Sequence, residues 1–240
     1  MTAPVNKILV ALFSYNEGKK LQNLIGRFPR VRNYDILVVD DGSDDGSLEF
    51  LRQQDVGLIH HDHNLGIGAG IRDAINYGRS TDYDIMVVMA ANGKMLPEEI
   101  GRVLDPIVSG RADYVQGSRY LEGGKSPNLP YFRRVMIRVF TVIVNLFTGY
   151  RGTDITCGFR AYRLSLFDDP RFRIDQPWLN KYEMEYYLQY HVLKGKYRMA
   201  EVPVSMVYPQ RRKNYSKIKP VIGWWSMIRP WLYLILGIKK

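Results

Sequence analysis

Apolar and polar positions fall in blocks along the first half of this chain. Short, nearly unbroken apolar runs alternate with longer stretches carrying an apolar residue every third or fourth position. Residues 7–13 (KILVALF) are of the first kind and predict a strand buried on both faces. Residues 17–28 are of the second kind, a helix with Leu21, Leu24 and Ile25 on one side. Runs over 34–39, 56–60 and 84–89 predict three more strands, with helices over 44–53 and 67–77 between them. Asp44, Asp45 and Ser47 are placed to cap the first of these helices. Pro97-Glu98-Glu99 reads as another helix start, and residues 114–117 as another short strand. Such alternation predicts an α/β fold, with a mostly parallel central sheet flanked by helices.

The pattern changes near Glu122. Gly123-Gly124-Lys125-Ser126-Pro127-Asn128-Leu129-Pro130 is a loop or lid by composition. Residues 131–147 then form an amphipathic helix that carries Arg133, Arg134 and Arg138. The last stretch, 224–240 (WWSMIRPWLYLILGIKK), is aromatic and apolar and ends in two lysines. It suits a helix packed on the core or at a homodimer contact, and it equally suits a segment lying on a membrane surface. No apolar run reaches the roughly 20 residues a spanning helix needs. The N-terminus has no small-residue cleavage site and reads as the first strand, not as a signal peptide.

Hydrophobic content of 46% and charged content of 24% are those of a folded domain. The formal net charge of +10 points to nucleic acid, anionic lipid or phosphorylated ligands as partners. Nucleic acid is disfavoured: basic residues are scattered before Arg111, and no helix-turn-helix, zinc-finger or RNP-like segment is present. Cys157 is the lone cysteine, which excludes an internal disulfide and a cysteine metal site and fits a cytoplasmic setting.

The candidate chemistry sits at the ends of the predicted strands, where ligands bind in open α/β sheets. Strand 34–39 ends in Asp40-Asp41-Gly42-Ser43; carboxylates there can accept from a ribose hydroxyl or a base N–H, and Gly42 allows close approach. Strand 84–89 ends in Ala90-Ala91-Asn92-Gly93-Lys94. Phe13-Ser14-Tyr15-Asn16-Glu17 forms the turn after the first strand, where Asn16 and Glu17 can also simply cap the helix. In His63-Asn64-Leu65-Gly66-Ile67-Gly68-Ala69-Gly70 the glycines allow tight helix–strand contact, and the helix N-terminus favours an anion. His60, His61, Asp62 and His63 cannot all converge on a metal, since strand neighbours point to opposite faces, and the histidines read as solvated loop residues. Three further segments follow: Gln116-Gly117-Ser118-Arg119-Tyr120, Thr153-Asp154-Ile155-Thr156-Cys157-Gly158-Phe159-Arg160, and Lys181-Tyr182-Glu183-Met184-Glu185. Arg119 and Arg160 can grip phosphate bidentately or brace a local carboxylate. The basic run Arg211-Arg212-Lys213-Asn214-Tyr215-Ser216-Lys217 can contact a diphosphate or be a solvated face.

Taken in order, these motifs resemble those of family 2 glycosyltransferases with the GT-A fold, over nearly the whole chain. Length and tail are most similar to the dolichyl- and polyprenyl-phosphate sugar synthases. The resemblance implies one catalytic domain over 1–218, with a nucleotide-sugar-binding half (1–120), an acceptor-facing half (121–218) and an amphipathic tail (219–240). It implies a nucleoside diphosphate sugar held by Phe13, Ser14, Tyr15, Asn16, Glu17, Asp40, Asp41, Ser43, Asn64, Gly68, Ala90, Ala91 and Asn92. It places Arg160, Arg211, Ser216 and Lys217 near acceptor or diphosphate, and it implies an inverting displacement. A hydroxyl acceptor would need a general base, Asp154 first and Glu185 second; a lipid phosphate is already anionic and needs none.

One departure shapes the expectation. The family carries Asp-x-Asp, which holds the donor and a divalent metal, where this chain has Ala90, Ala91 and Asn92. Alanine offers no ligand and a lone asparagine is a poor partner for Mg²⁺. The expectation is therefore no cofactor, with Mg²⁺ or Mn²⁺ binding weakened at best. Lys94, Arg119, Arg160 and Lys217 would then neutralise the leaving diphosphate. The alternatives are a disabled site, that is, a nucleotide-sugar-binding pseudoenzyme, and transfer to a soluble hydroxyl acceptor. Against a nucleotidyltransferase, the turn after the first strand reads Phe-Ser-Tyr-Asn-Glu and not a glycine-rich basic loop. The charge and tail fit a cytoplasmic protein, peripheral on the inner face of a membrane.

Overall fold

The computed structural model describes residues 6–210 and 222–239. Strands β1 (Ile8–Ser14), β2 (Asp35–Asp40), β3 (Gly57–His60), β4 (Ile85–Ala90), β5 (Tyr114–Ser118), β6 (Arg160–Arg163) and β7 (Met199–Pro203) form one sheet. Their order is β3-β2-β1-β4-β6-β5-β7. The helices are α1 (Lys19–Ile25), α2 (Ser47–Leu51), α3 (Ile67–Ser80), α4 (Ile100–Val108), α5 (Tyr131–Thr148), α6 (Glu183–Lys194) and α7 (Ile222–Ile235). β1 pairs in parallel with β2 on one side and β4 on the other. Among the described strands only β6 runs antiparallel, wedged between β4 and β5.

Strict two-residue alternation explains why these strands read as unbroken apolar runs. Val10, Leu12, Val38, Val87 and Met89 face a layer containing Leu21 and Leu24 of α1 and Val103 and Ile107 of α4. Leu9, Ala11, Leu37, Val39 and Met86 face the opposite layer, with Ile71 and Ala74 of α3 and Met184 and Leu188 of α6. Every position is thus buried on one side or the other, at about 1.5–3 kcal/mol for each large side chain.

Three expectations need correction. The first helix is shorter than the periodicity suggested, because Gly26 and Pro29 stop it early. Neither Asn16 nor Ser47 caps a helix: α1 starts after Gly18 and α2 after Gly46, and neither cap makes a side-chain hydrogen bond. β6 was not expected at all. Arg160-Ala161-Tyr162-Arg163 has two charges in four positions, and it is a strand because both its neighbours supply backbone partners.

The tail is an α7 helix docked on α6, with Met227, Trp231 and Leu234 buried. Buried Glu183 at the start of α6 holds it, 2.6 Å from Arg229 and in hydrogen-bonding contact with Ser226. Among the described residues no helix is long and apolar enough to cross a membrane.

Candidate active site

The parallel register brings the strand tips level: Ser14 lies opposite Asp40, and Phe13 opposite Ala90. The sheet order reverses at β1 and β4, which is where an open α/β sheet forms its ligand crevice.

At the first two tips the polar groups bind one another. Asn16, in a left-handed turn (φ 48°), donates its N–H to Ser43 Oγ at 2.9 Å and accepts from the Asp44 N–H at 3.0 Å. Asp40 is fully buried and accepts from the Ser43 N–H and hydroxyl, with His60 Nδ1 at 2.9 Å. Asp41 accepts the backbone N–H groups of Leu65 (2.8 Å) and Gly66 (2.9 Å), with His61 Nδ1 at 2.7 Å. The side-chain oxygens of both aspartates are therefore engaged within the fold: Asp40 ties its own turn to the end of β3, and Asp41 clamps the loop before α3. His61 is buried, its other nitrogen 2.9 Å from Asp73, so it is not the solvated loop histidine the sequence suggested. Its hydrogen bond to Asp41 outweighs burial and raises its pKa above the ordinary histidine value.

The start of α3 is also occupied. The N–H groups of Gly68 and Ala69 both donate to the Asn180 carbonyl, so no anion is needed to satisfy them. A Cβ at Gly68 would lie 1.9 Å from the Leu179 carbonyl oxygen, so glycine is required here by close approach of the 179–181 segment. Asn64 and Tyr15 are exposed at the crevice edge.

At the third tip Ala91 is fully buried in the core, while Ala90 and Asn92 are half-buried. Asn92 Oδ1 accepts from the Lys94 N–H at 3.2 Å. Two methyl groups and one amide already engaged with the backbone do not fit a divalent ion. Among the described residues no three His, Cys, Asp or Glu side chains gather closely enough to hold a metal. Burial pushes the Cys157 thiol up to about 12, so it stays protonated.

Arg119 and Arg160 both turn inward. Arg119 donates through Nε (2.6 Å) and Nη2 (2.7 Å) to Asp154, and both side chains are almost fully buried. Asp154 accepts in addition from the Arg119 N–H and from the Thr156 N–H and hydroxyl. A carboxylate so surrounded anchors an arginine; it has little left to offer as a base. Arg160 lies 3.1 Å from Glu185 and donates to the Cys157 carbonyl at 2.9 Å. Glu185 keeps 15% side-chain exposure, against none for Asp154, and is the more accessible of the two candidate bases. Arg211, Ser216 and Lys217 lie outside the described residues.

The roles of three residues escaped the sequence reading. Glu201 accepts from the Thr153 and Asp154 N–H groups and so sets the turn that carries Asp154. Buried Glu99 accepts from the Ser205 N–H and hydroxyl and holds the segment after β7. Tyr208 sits at the mouth of the crevice: Arg119 Nη1 donates to its hydroxyl at 2.7 Å, and Lys94 and Arg133 lie over its ring. β7 is half-buried at every position, so nothing local marks Glu201, and nothing local marks Tyr208.

Against known proteins, the signature described as Glycosyl transferase family 2 matches residues 10–169. The chain belongs to glycosyltransferase family 2. Polyprenol monophosphomannose synthase of Mycolicibacterium smegmatis is 31% identical over 227 residues, covering 90% of this chain and 82% of that protein. Undecaprenyl-phosphate mannosyltransferase of Micrococcus luteus is 30% identical, covering 88% of this chain and 87% of that one. Among solved structures, Mycobacterium tuberculosis glucosyl-3-phosphoglycerate synthase, in complex with Mn²⁺, UDP and glucosyl-3-phosphoglycerate, superposes with a TM-score of 0.69 at 16% identity. It covers 98% of this chain and 81% of that one, and the likeness is one of fold. This family 2 glycosyltransferase thus has the GT-A fold, with its crevice at the tips of β1, β2 and β4.

Proposed function

We propose that this glycosyltransferase moves a sugar from a nucleoside diphosphate sugar to a polyprenyl phosphate at a membrane surface, with inversion and without a divalent metal. The observation that carries the reading is the juxtaposition at the crevice mouth. Lys94, Arg133 and Arg138 gather there over Tyr208 and Tyr120. The helix that supplies both arginines presents Tyr131, Phe132, Val139, Val142, Leu146 and Phe147 to solvent. Cations suited to a phosphate thus stand beside an apolar face suited to the lipid attached to it. The outer side of α7, with Trp225, Leu232 and Ile235 exposed, adds apolar surface. The names of the relatives, which act on polyprenol and undecaprenyl phosphate, point the same way.

In the proposed reaction a phosphate oxygen of the acceptor attacks the anomeric carbon from the face opposite the diphosphate. The new carbon–oxygen bond forms as the bond to the diphosphate breaks, and the nucleoside diphosphate departs with that electron pair. An anionic acceptor needs no base, consistent with an Asp154 fully occupied by Arg119. Fixed cations at the mouth stabilise the leaving charge without reorganising. Anionic lipids would attract the basic protein to the inner face of the membrane, at about 1 kcal/mol per basic residue close to the surface.

The test is a transfer assay with a panel of nucleoside diphosphate sugars and undecaprenyl phosphate in anionic vesicles containing excess EDTA. A sugar-phosphate lipid product with undiminished turnover is expected. Turnover lost to EDTA and restored by Mg²⁺ or Mn²⁺ would refute the metal-free step. Transfer to a soluble alcohol, abolished by Glu185→Gln, would refute the lipid acceptor. Donor binding without transfer to anything would mark a pseudoenzyme.

A further inference from the structure

Tyr208 lies just beyond β7 and is only 2% exposed, yet the cations of the crevice mouth converge on it. Its backbone is sewn to the loop before α5: its N–H donates to the Pro127 carbonyl at 3.2 Å, and its carbonyl accepts from Asn128 at 3.0 Å. Its ring packs against Leu129 and Ile137. With the ring held in this way, Arg119 Nη1 donates to the hydroxyl, Lys94 Nζ lies 5.5 Å from the ring centre and Arg133 Cζ 5.9 Å. Lys94 comes from the β4 tip, Arg119 from the end of β5 and Arg133 from α5, so one side chain gathers charges from three elements.

Like charges brought together repel, and an aromatic face offsets only part of that cost. Arg119 is compensated by Asp154, but Arg133 has no carboxylate partner among the described residues. Beside them Arg138 and Arg119 flank the ring of Tyr120, whose buried hydroxyl has no hydrogen-bond partner among the described residues. Converging cations and an orphaned donor are the complement of a phosphoryl group.

The geometry points to Tyr208 as a positioning residue that holds Lys94 and Arg133 as a receptor for a phosphoryl group of a substrate. This rests on the function proposed above and deepens it. Where that group is the donor diphosphate, the cations gathered over this ring do the work of the missing strand-tip carboxylates. The phosphoryl group belongs either to the donor diphosphate or to the acceptor monophosphate, and the chemistry of recognition is shared.

Calorimetric titration with two probes, inorganic pyrophosphate and farnesyl monophosphate, each in excess EDTA, separates these sources. Tyr208→Leu should weaken one probe about tenfold, whereas Tyr208→Phe, which keeps the ring, should stay within about threefold. In the transfer assay Tyr208→Leu should raise KM for the matching substrate with little change in kcat, which general loosening of the fold would not do. Arg133→Gln, at a half-buried surface position, should reproduce the loss for the same probe, and it decides the matter should Tyr208→Leu fail to fold. Wild-type affinity for both probes in folded Tyr208→Leu or in Arg133→Gln would overturn the proposal, as would a Tyr208→Phe variant as weak as Tyr208→Leu. Failure of the wild type to bind either probe would do so too. Failure of the wild type to transfer any sugar would refute the proposed function instead, and leaves the probe ratios as a separate result.

Discussion

Replacing Asp154 by alanine separates its structural role from a chemical one. Asp154 is fully buried and Arg119 4% exposed, and two short side-chain bonds join them. Removal of the carboxylate leaves a buried guanidinium with, among the described residues, only the Tyr208 hydroxyl and Thr156 Oγ as partners. Breaking one side of a buried pair costs about 3–5 kcal/mol, because the remaining charge stays desolvated. In a domain of this size each kcal/mol shifts Tm by about 2–4 °C, so a fall of about 6–20 °C is expected by calorimetry or circular dichroism. Replacing both partners together, Arg119→Met with Asp154→Leu, should recover most of that loss, since no charge is then left buried. Both changes would still disturb the crevice mouth, because Arg119 also reaches Tyr208. If Asp154→Ala keeps its Tm within about 1 °C of wild type and loses transfer alone, the structural assignment fails and Asp154 acts on the reactants.

Two further outcomes follow from the same geometry. His61 has a carboxylate at each nitrogen, Asp41 at 2.7 Å and Asp73 at 2.9 Å, a setting that favours the doubly protonated ring; Arg72 stands 4.0 Å from Asp73. With its folded pKa raised, its contribution is complete below the unfolded value near 6.5 and is lost as pH climbs through the folded value. The Tm gap between wild type and His61→Phe should therefore narrow from pH 6 to pH 9, and a gap independent of pH would refute the clamp. On α5, Val142→Glu with Leu146→Glu changes positions that are 56% and 80% exposed. Stability should change by no more than about 0.5 kcal/mol per site, while co-sedimentation with anionic vesicles falls sharply; undiminished sedimentation would refute a membrane role for this face.

The sheet was largely legible because burial on both faces leaves a local mark. A run such as Ile85-Met86-Val87-Val88-Met89 is apolar at every position since each residue meets one of two layers. β6 left no such mark, as its pairing depends on β4 and β5, both distant in the chain. The crevice was legible in the motifs at the strand tips, but the partners of those residues were not. Arg119 and Arg160 carry the signature of phosphate contacts, and only their neighbours reveal that each braces a carboxylate. His61 looked like a loop residue until Asp73, one helix further on, closed over it.

By itself, the sequence determined the apolar strands that lead into the crevice, β1, β2 and β4, the turns at their tips, and that the third tip has no carboxylate to offer a metal. These are properties of side chains and their spacing, and they need no neighbour. The tertiary structure alone decided which charges meet: Asp154 with Arg119, Glu185 with Arg160, and Lys94 with Arg133 over Tyr208. Electrostatic pairing acts through space over a few ångströms, whereas these partners are separated along the chain by whole strands and helices.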